Sequence, residues 1–227
     1  MTCIPNLFLI GAPKSGTSAL AETFKQHHAI FVPALKEPRF FDHYTFYDAE
    51  SSAKKLTMEK YLSLYEGASS DYCLDASVFN MYGKSSIEKI LELSPDAKFI
   101  LMLRDPVEAT KSMFKQRLKY MNPSMRELSD DFATVWDFSK ERAEGRHYPP
   151  GCENKFLFRY DLLYSYEKYL PFIMTLIKPD RLLICAYSEF QRDPEVLFRT
   201  IFDFLEIENI DVKNKIVNES LTVEMNN

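Results

Sequence analysis

The sequence has no run of the roughly 18 apolar residues that a membrane-spanning helix needs, so no segment reads as inserted in a bilayer. Its first residues lack a basic stretch followed by an apolar core. No signal peptide is therefore expected, and the expected location is cytoplasmic. Cysteine is sparse: Cys3, Cys73, Cys152 and Cys185 are scattered. No C-x-x-C and no Cys/His pair has metal-ligand spacing, so no metal site is expected, and the four read as reduced, mostly buried thiols. Positive charge is not in excess either. The 28 Lys and Arg stand against 33 Asp and Glu, for a net charge of −5 and a pI near 5.5. Bulk attraction to nucleic acid or to an anionic membrane is not expected, although a local basic pocket is still allowed. Neither an internal repeat nor a low-complexity segment is present.

What the chain does have is 46% hydrophobic content over 227 residues, enough for one well-buried core, and residues 1–227 read as a single domain. There are 18 Phe and 13 Tyr against one Trp, and most of these rings are expected in the core. Apolar runs of strand length recur at 7–10, 30–32, 72–74, 98–103 and 181–185, the fourth being the strongest. Helical patterning falls between them at 18–28, 84–93, 107–120, 164–177 and 194–205, with a further helix around Trp136. Pro95 and Pro179 precede two of the strands and mark helix ends. Alternating strands and helices predict an α/β, P-loop-like three-layer fold, with a central mainly parallel sheet and helices on both faces. Ligands in such folds bind at the carboxyl ends of the strands. The irregular stretches 33–52, 122–129 and 143–154 are candidate substrate loops.

Three clusters of polar residues belong to that edge. The first is Gly11-Ala12-Pro13-Lys14-Ser15-Gly16-Thr17-Ser18, between the first strand and the first helix. In a nucleoside-triphosphate loop, lysine follows the second glycine. Here Thr17 holds that place, and the only lysine, Lys14, sits inside the loop. Such a loop can cradle a phosphate with backbone N–H groups but is poorly built for a magnesium-bound triphosphate. A glycine-rich turn after an apolar run is often an ordinary β–α turn; Lys14 and the hydroxyls of Ser15, Thr17 and Ser18 favour an anion. The second cluster is Arg104-Asp105-Pro106 after the strongest strand, with Ser112 about two helical turns on. Alone, Arg104 would read as a salt bridge to Asp105; beside a phosphate loop it reads as a fork for a second phosphate. The third is Lys36-Glu37-Pro38-Arg39-Phe40-Phe41-Asp42. Pro38 keeps Glu37 out of helical geometry, the two Phe can anchor the loop, and Glu37 could serve as a general base if cationic neighbours hold it ionised.

Together these segments resemble the sulfotransferases that use 3′-phosphoadenosine-5′-phosphosulfate (PAPS), in particular the heparan-sulfate and bacterial branch. Phe158-Arg159-Tyr160-Asp161-Leu162-Leu163, Ser188-Glu189-Phe190 and Asp193-Pro194 extend the likeness over nearly the whole chain. The resemblance implies that Lys14 binds the 5′-phosphate and bridging oxygen, that Ser15, Gly16, Thr17 and Ser18 cradle that phosphate, and that Arg104 and Ser112 hold the 3′-phosphate. It further implies Glu37 as catalytic base together with Lys14 as catalytic residue, and no metal. The product would be adenosine 3′,5′-bisphosphate (PAP), and the acceptor a hydroxyl or amine of a glycan or small molecule. Asp42, Asp75 and His43 are the next candidates for the base. Arg39 and Ala76 depart from the family pattern, where His and Lys are found, and Ala19 stands where aryl and steroid enzymes often carry Trp. Val217-Asn218-Glu219-Ser220 resembles the start of a loop that closes over the nucleotide. A kinase with a degenerate loop and a catalytically silent nucleotide-binding protein are the alternatives. The kinase needs a lysine at Thr17 and a magnesium carboxylate; the silent protein would be expected had Lys14 or Glu37 been lost.

Overall fold

A computed structural model describes residues 3–42 and 56–212. Five strands form one sheet: β1 (Leu7–Gly11), β2 (Ile30–Phe31), β3 (Tyr72–Asp75), β4 (Lys98–Leu103) and β5 (Leu182–Ala186). Their order is β2-β3-β1-β4-β5 and all four pairings are parallel. The longer helices are α1 (Thr17–Phe24), α2 (Met58–Ser63), α3 (Lys84–Leu93), α4 (Pro106–Leu118) and α5 (Phe132–Ala143). They are followed by α6 (Tyr160–Leu163), α7 (Tyr166–Leu176), α8 (Tyr187–Arg192) and α9 (Pro194–Leu205).

The period-two alternation of β1 decides which helices cover which face. Leu7, Phe8, Leu9 and Ile10 are all fully buried, so both faces of this strand are covered. Phe8 and Ile10 join Phe99 and Leu101 in a core closed by Ile87 and Ile90 of α3 and by Tyr169 and Ile173 of α7. Leu7 and Leu9 join Ile100 and Met102 in a second core, under Leu20 and Phe24 of α1 and Phe198, Ile201 and Phe202 of α9. Each such side chain contributes about 1.5–3 kcal/mol by burial. The three layers are those expected, and the sheet is parallel throughout.

Chain order runs from β1 outward to one edge, then crosses from β3 to β4 on the other side of β1. The crevice of such a sheet opens where the order reverses, at the carboxyl ends of β1 and β4. Register there shifts between Leu9 and Gly11, leaving one extra residue on β1. This bulge turns the chain out of the sheet, and the Ala12 N–H still donates to the Met102 carbonyl at 2.7 Å.

One expectation is corrected. Cys3 and Cys73 form a disulfide, their Cα atoms 6.7 Å apart. The segment before β1 runs beside β3, where the Asn6 N–H donates to the Cys73 carbonyl and the Asn6 side chain accepts from the Cys73 N–H. A separation of 70 residues hides that proximity from the sequence. Cys152 and Cys185 remain thiols, as expected.

Candidate active site at the carboxyl edge of the sheet

The loop from β1 to α1 reaches its shape through two left-handed residues, Lys14 (φ 65°) and Gly16 (φ 79°). Gly16 is required on two counts. Positive φ suits a residue without Cβ, and a Cβ there would lie 2.7 Å from Cε2 of Tyr187. Gly16 is also the N-cap of α1 and brings no capping side chain, and the first turn carries no acid. The leading N–H groups of α1 and its positive dipole end therefore stay open to an anion. The Tyr164 hydroxyl donates to the Pro13 carbonyl at 3.2 Å and pins the loop to the sheet edge.

Cations converge on this loop. Arg104 donates through Nη1 to the Lys14 carbonyl at 3.0 Å and lies 4.8 Å over the Tyr187 ring. Asp105 does not pair with it, because its carboxylate caps α4, accepting from the Glu108 N–H at 2.9 Å. The backbone of Arg104 is held by Tyr166, whose hydroxyl donates to the Arg104 carbonyl at 3.0 Å. Burial, followed by the charges of Arg104, Arg117, Lys119 and Lys36, holds the Lys14 ammonium below the ordinary lysine range. Mutual repulsion of this kind is relieved when an anion enters. A cleft of ≈490 Å³ opens between the ends of β4 and β5, lined by Arg104, Asp105, Tyr166, Tyr187, Ser188 and Gln191. That volume suits a small organic ligand. The amino ends of the strands carry another cleft, of ≈390 Å³, but three acids (Asp71, Asp96, Glu206) outnumber its one cation, Lys98.

Glu37 is brought to the loop by its neighbour. Lys36 Nζ donates to Ser18 Oγ at 3.0 Å and to Glu37 Oε1 at 2.9 Å, bridging the segment to the first turn of α1. The Glu37 side chain keeps 31% of its surface exposed. Phe40 and Phe41 are buried as expected, Phe40 stacking on Tyr61 of α2 with ring centroids 4.6 Å apart. The other carboxylates have structural partners. Asp42 is fully buried and accepts from Arg39 Nε at 3.0 Å. Asp75 is fully buried and accepts from the Tyr61 hydroxyl at 2.7 Å and the Ser77 N–H at 2.8 Å. Burial pushes the Asp75 carboxyl up to about 6. His43 and the 217–220 segment lie outside the described residues.

The structure thus gathers Lys14, Ser15, Gly16, Thr17, Ser18, Glu37 and Arg104 about one loop. Ser112 sits half-buried on α4 and makes no hydrogen bond among the described residues. Sequence reasoning missed α8, Tyr166 and Arg117. Ser188-Glu189-Phe190 was a signal for α8, whereas nothing local marks Tyr166 or Arg117. Among the described residues no three His, Cys, Asp or Glu side chains are grouped to hold a metal ion. No described helix is long and apolar enough to cross a membrane.

The sequence matches the "Sulfotransferase domain" family over residues 5–227. It is 30% identical over 121 residues to "Membrane-associated sulfotransferase kil1" of Dictyostelium discoideum, covering 53% of this chain and 25% of that protein. It is 24% identical over 216 residues to the mouse "Bifunctional heparan sulfate N-deacetylase/N-sulfotransferase 4", covering 91% of this chain and 23% of that protein. The chain therefore matches about a quarter of the length of these relatives. A solved sulfotransferase from Alicyclobacillus acidocaldarius superposes with a TM-score of 0.81 at 25% identity, over 96% of this chain and 87% of that one. Mouse sulfotransferase SULT7A1, solved with PAP, shares the fold with a TM-score of 0.55 at 17% identity, over 92% and 61% of the two chains.

Proposed function

The chain belongs to the sulfotransferase domain family, and from that premise we propose that it is a PAPS-dependent enzyme. Its acceptor would be a hydroxyl or amine of a glycan or small molecule. The observation that carries the donor assignment is the cation cluster around Lys14 at an uncapped helix start, with Arg104 on the cleft side. PAPS carries a phosphosulfate and a separate 3′-phosphate, and these residues suit both: Lys14 and the N–H groups of Gly16, Thr17 and Ser18 for the first, Arg104 and Ser112 for the second. Thr17 in place of a γ-phosphate lysine disfavours a kinase. The name of the mouse relative favours a glycan acceptor. A cytoplasmic location belongs to the same reading, and the Cys3–Cys73 disulfide weighs against it, because cytosolic glutathione keeps most thiols reduced.

When bound, PAPS supplies an activated sulfuryl group. The chain's own work is positioning and charge stabilisation. Lys14, with its ammonium among four other cations, would hold the phosphosulfate and offset negative charge there. Arg104, held by Tyr166 and stacked on Tyr187, would hold the 3′-phosphate. Glu37 takes the acceptor proton on its carboxylate, and Lys36 donates to that carboxylate and ties it to Ser18. Asp42 and Asp75 are unsuited as bases because both are fully buried, with Asp42 Oδ2 engaged by Arg39 and both Asp75 oxygens engaged by Tyr61 and Ser77.

The test is an acceptor screen with sulfur-labelled PAPS, repeated with Glu37→Gln. The substitution keeps shape and removes basicity, so PAP affinity should stay nearly unchanged while turnover falls roughly 10²–10⁴-fold. Near-normal turnover on a hydroxyl acceptor would place the base elsewhere.

A further inference from the structure

Arg117, in the last turn of α4, is 4% exposed, and among the described residues its Nε and Nη1 have no hydrogen-bond partner. Its Nη2 reaches only the sulfur of Met113, at 3.9 Å. The guanidinium lies over the rings of Tyr120 and Phe158, at 4.8 and 5.6 Å. Glu127, a buried carboxylate on the loop after α4, is already taken by Arg142 and the Tyr160 hydroxyl. A buried guanidinium without acceptors is costly, and a ligand that completes it removes that cost.

Asn154 gives a second, independent observation. It is 7% exposed, and among the described residues neither its side-chain nitrogen nor its oxygen is paired. It leads into the short turn Lys155–Phe158, and the Phe158 ring lies 5.6 Å from the Arg117 guanidinium. Two orphaned polar side chains therefore flank one turn, two residues after the half-buried thiol of Cys152, which the Arg117 charge also influences. Arg117 lies over Phe158, six residues before Tyr164, whose hydroxyl donates to the Pro13 carbonyl of the phosphate loop, and the Arg117 charge bears on both Lys14 and Tyr164. Arg104 precedes α4 and Arg117 lies in its last turn, so their backbones are about 17–20 Å apart at 1.5 Å per residue. Lys14 feels both charges, with the nucleotide cleft on the Arg104 side.

We propose that Arg117, with Asn154, receives an anionic group of the acceptor (a carboxylate, sulfate or phosphate) and thereby selects acceptors that carry an anion near the hydroxyl or amine to be sulfated. This rests on the sulfotransferase reading above. The guanidinium forks onto two oxygens and the Asn154 amide donates to the same group. Arg117 touches neither the nucleotide nor the transferred proton; it sets which acceptor is held.

Methyl sulfate serves as the probe and alkylation of Cys152 as the readout, followed by peptide mass so that Cys185 is scored separately. In the PAP-saturated and in the PAPS-saturated full chain, methyl sulfate should slow Cys152 alkylation relative to chloride of equal ionic strength. Arg117→Gln should weaken that protection by about tenfold or more, the scale of a lost charge-assisted hydrogen bond. Arg117→Lys should restore part of it. A parallel titration followed by melting temperature, again against chloride, gives the same comparison if the thiol reacts too slowly. Equal effects of methyl sulfate and chloride on the wild type would overturn the proposal, as would undiminished protection in Arg117→Gln. Protection by PAPS alone, with nothing added by methyl sulfate, would give the residue to the donor and overturn the acceptor assignment. Failure of PAP and PAPS to raise the melting temperature would instead remove the nucleotide reading, while the methyl sulfate comparison without nucleotide would still judge the anion site.

Discussion

Gly16→Ala strikes the point where the loop, the first helix and the second anion site meet. Two costs can be separated. Alanine at φ 79° costs about 1–2 kcal/mol, because its Cβ crowds the neighbouring carbonyl. The new Cβ also lies 2.7 and 2.9 Å from Cε2 and Cδ2 of Tyr187, so that ring must shift. Forcing a packed ring aside costs about 1–3 kcal/mol more. The sum, about 2–5 kcal/mol, corresponds to a melting temperature lower by about 5–15 °C in a chain of this size. Tyr187 carries the Arg104 guanidinium on its face at 4.8 Å, so PAP affinity should fall as well. Gly145→Ala is the control: its φ is 86°, but a Cβ there meets nothing within 4 Å. That change should show the backbone cost alone. Adding Tyr187→Ala to Gly16→Ala should recover the clash portion in thermal denaturation. If Gly16→Ala and Gly145→Ala lose equal stability and PAP affinity is untouched, the coupling of Gly16 to Arg104 through Tyr187 is wrong.

Arg104→Ala should weaken PAP by about 2–3 kcal/mol in calorimetry, the scale of charge-assisted hydrogen bonds to an anion, and should barely affect a ligand without the 3′-phosphate. Arg142→Ala should destabilise the chain by about 3–5 kcal/mol in urea unfolding, because the Glu127 side chain is fully buried and would lose its main partner. The folded Asp75 carboxyl, at about 6 against an ordinary 3.8, binds a proton between those values that the unfolded chain does not. Its contribution to stability therefore falls as pH rises from about 4 to 6 and is flat above, a change on the order of 3 kcal/mol. Asp75→Asn should remove that slope from the difference between mutant and wild-type stability curves.

The strands were legible because each is a short apolar run closed by turn residues, and the sheet buries both faces of its central members. The loop was legible because Gly11, Lys14 and Gly16 must be adjacent in sequence to shape one turn. Glu37 was a candidate from its Lys36–Asp42 segment and by resemblance, but its tether through Lys36 to Ser18 joins residues 18 apart and depends on how the segment after β2 folds back. Arg117 reads as an ordinary surface charge in Lys115-Gln116-Arg117-Leu118-Lys119. Only tertiary packing against Phe158 and Tyr120 buries it. The Cys3–Cys73 pairing was hidden for the same reason, since contact between the N-terminal segment and β3 is a property of sheet order. Asp105 shows competition within one motif: it could have paired with Arg104, and helix capping took its carboxylate.

The loop is proposed to hold a nucleotide with phosphates at two ends in preference to a magnesium-bound triphosphate. The decisive comparison is the melting temperature of the chain with PAP and, separately, with ATP and magnesium. At 100 times the dissociation constant a ligand stabilises the folded state by about 2.7 kcal/mol, or about 5–10 °C here. PAP should give such a rise, Lys14→Ala and Arg104→Ala should each diminish it, and magnesium ATP should do much less. Equal or greater stabilisation by magnesium ATP would contradict the account.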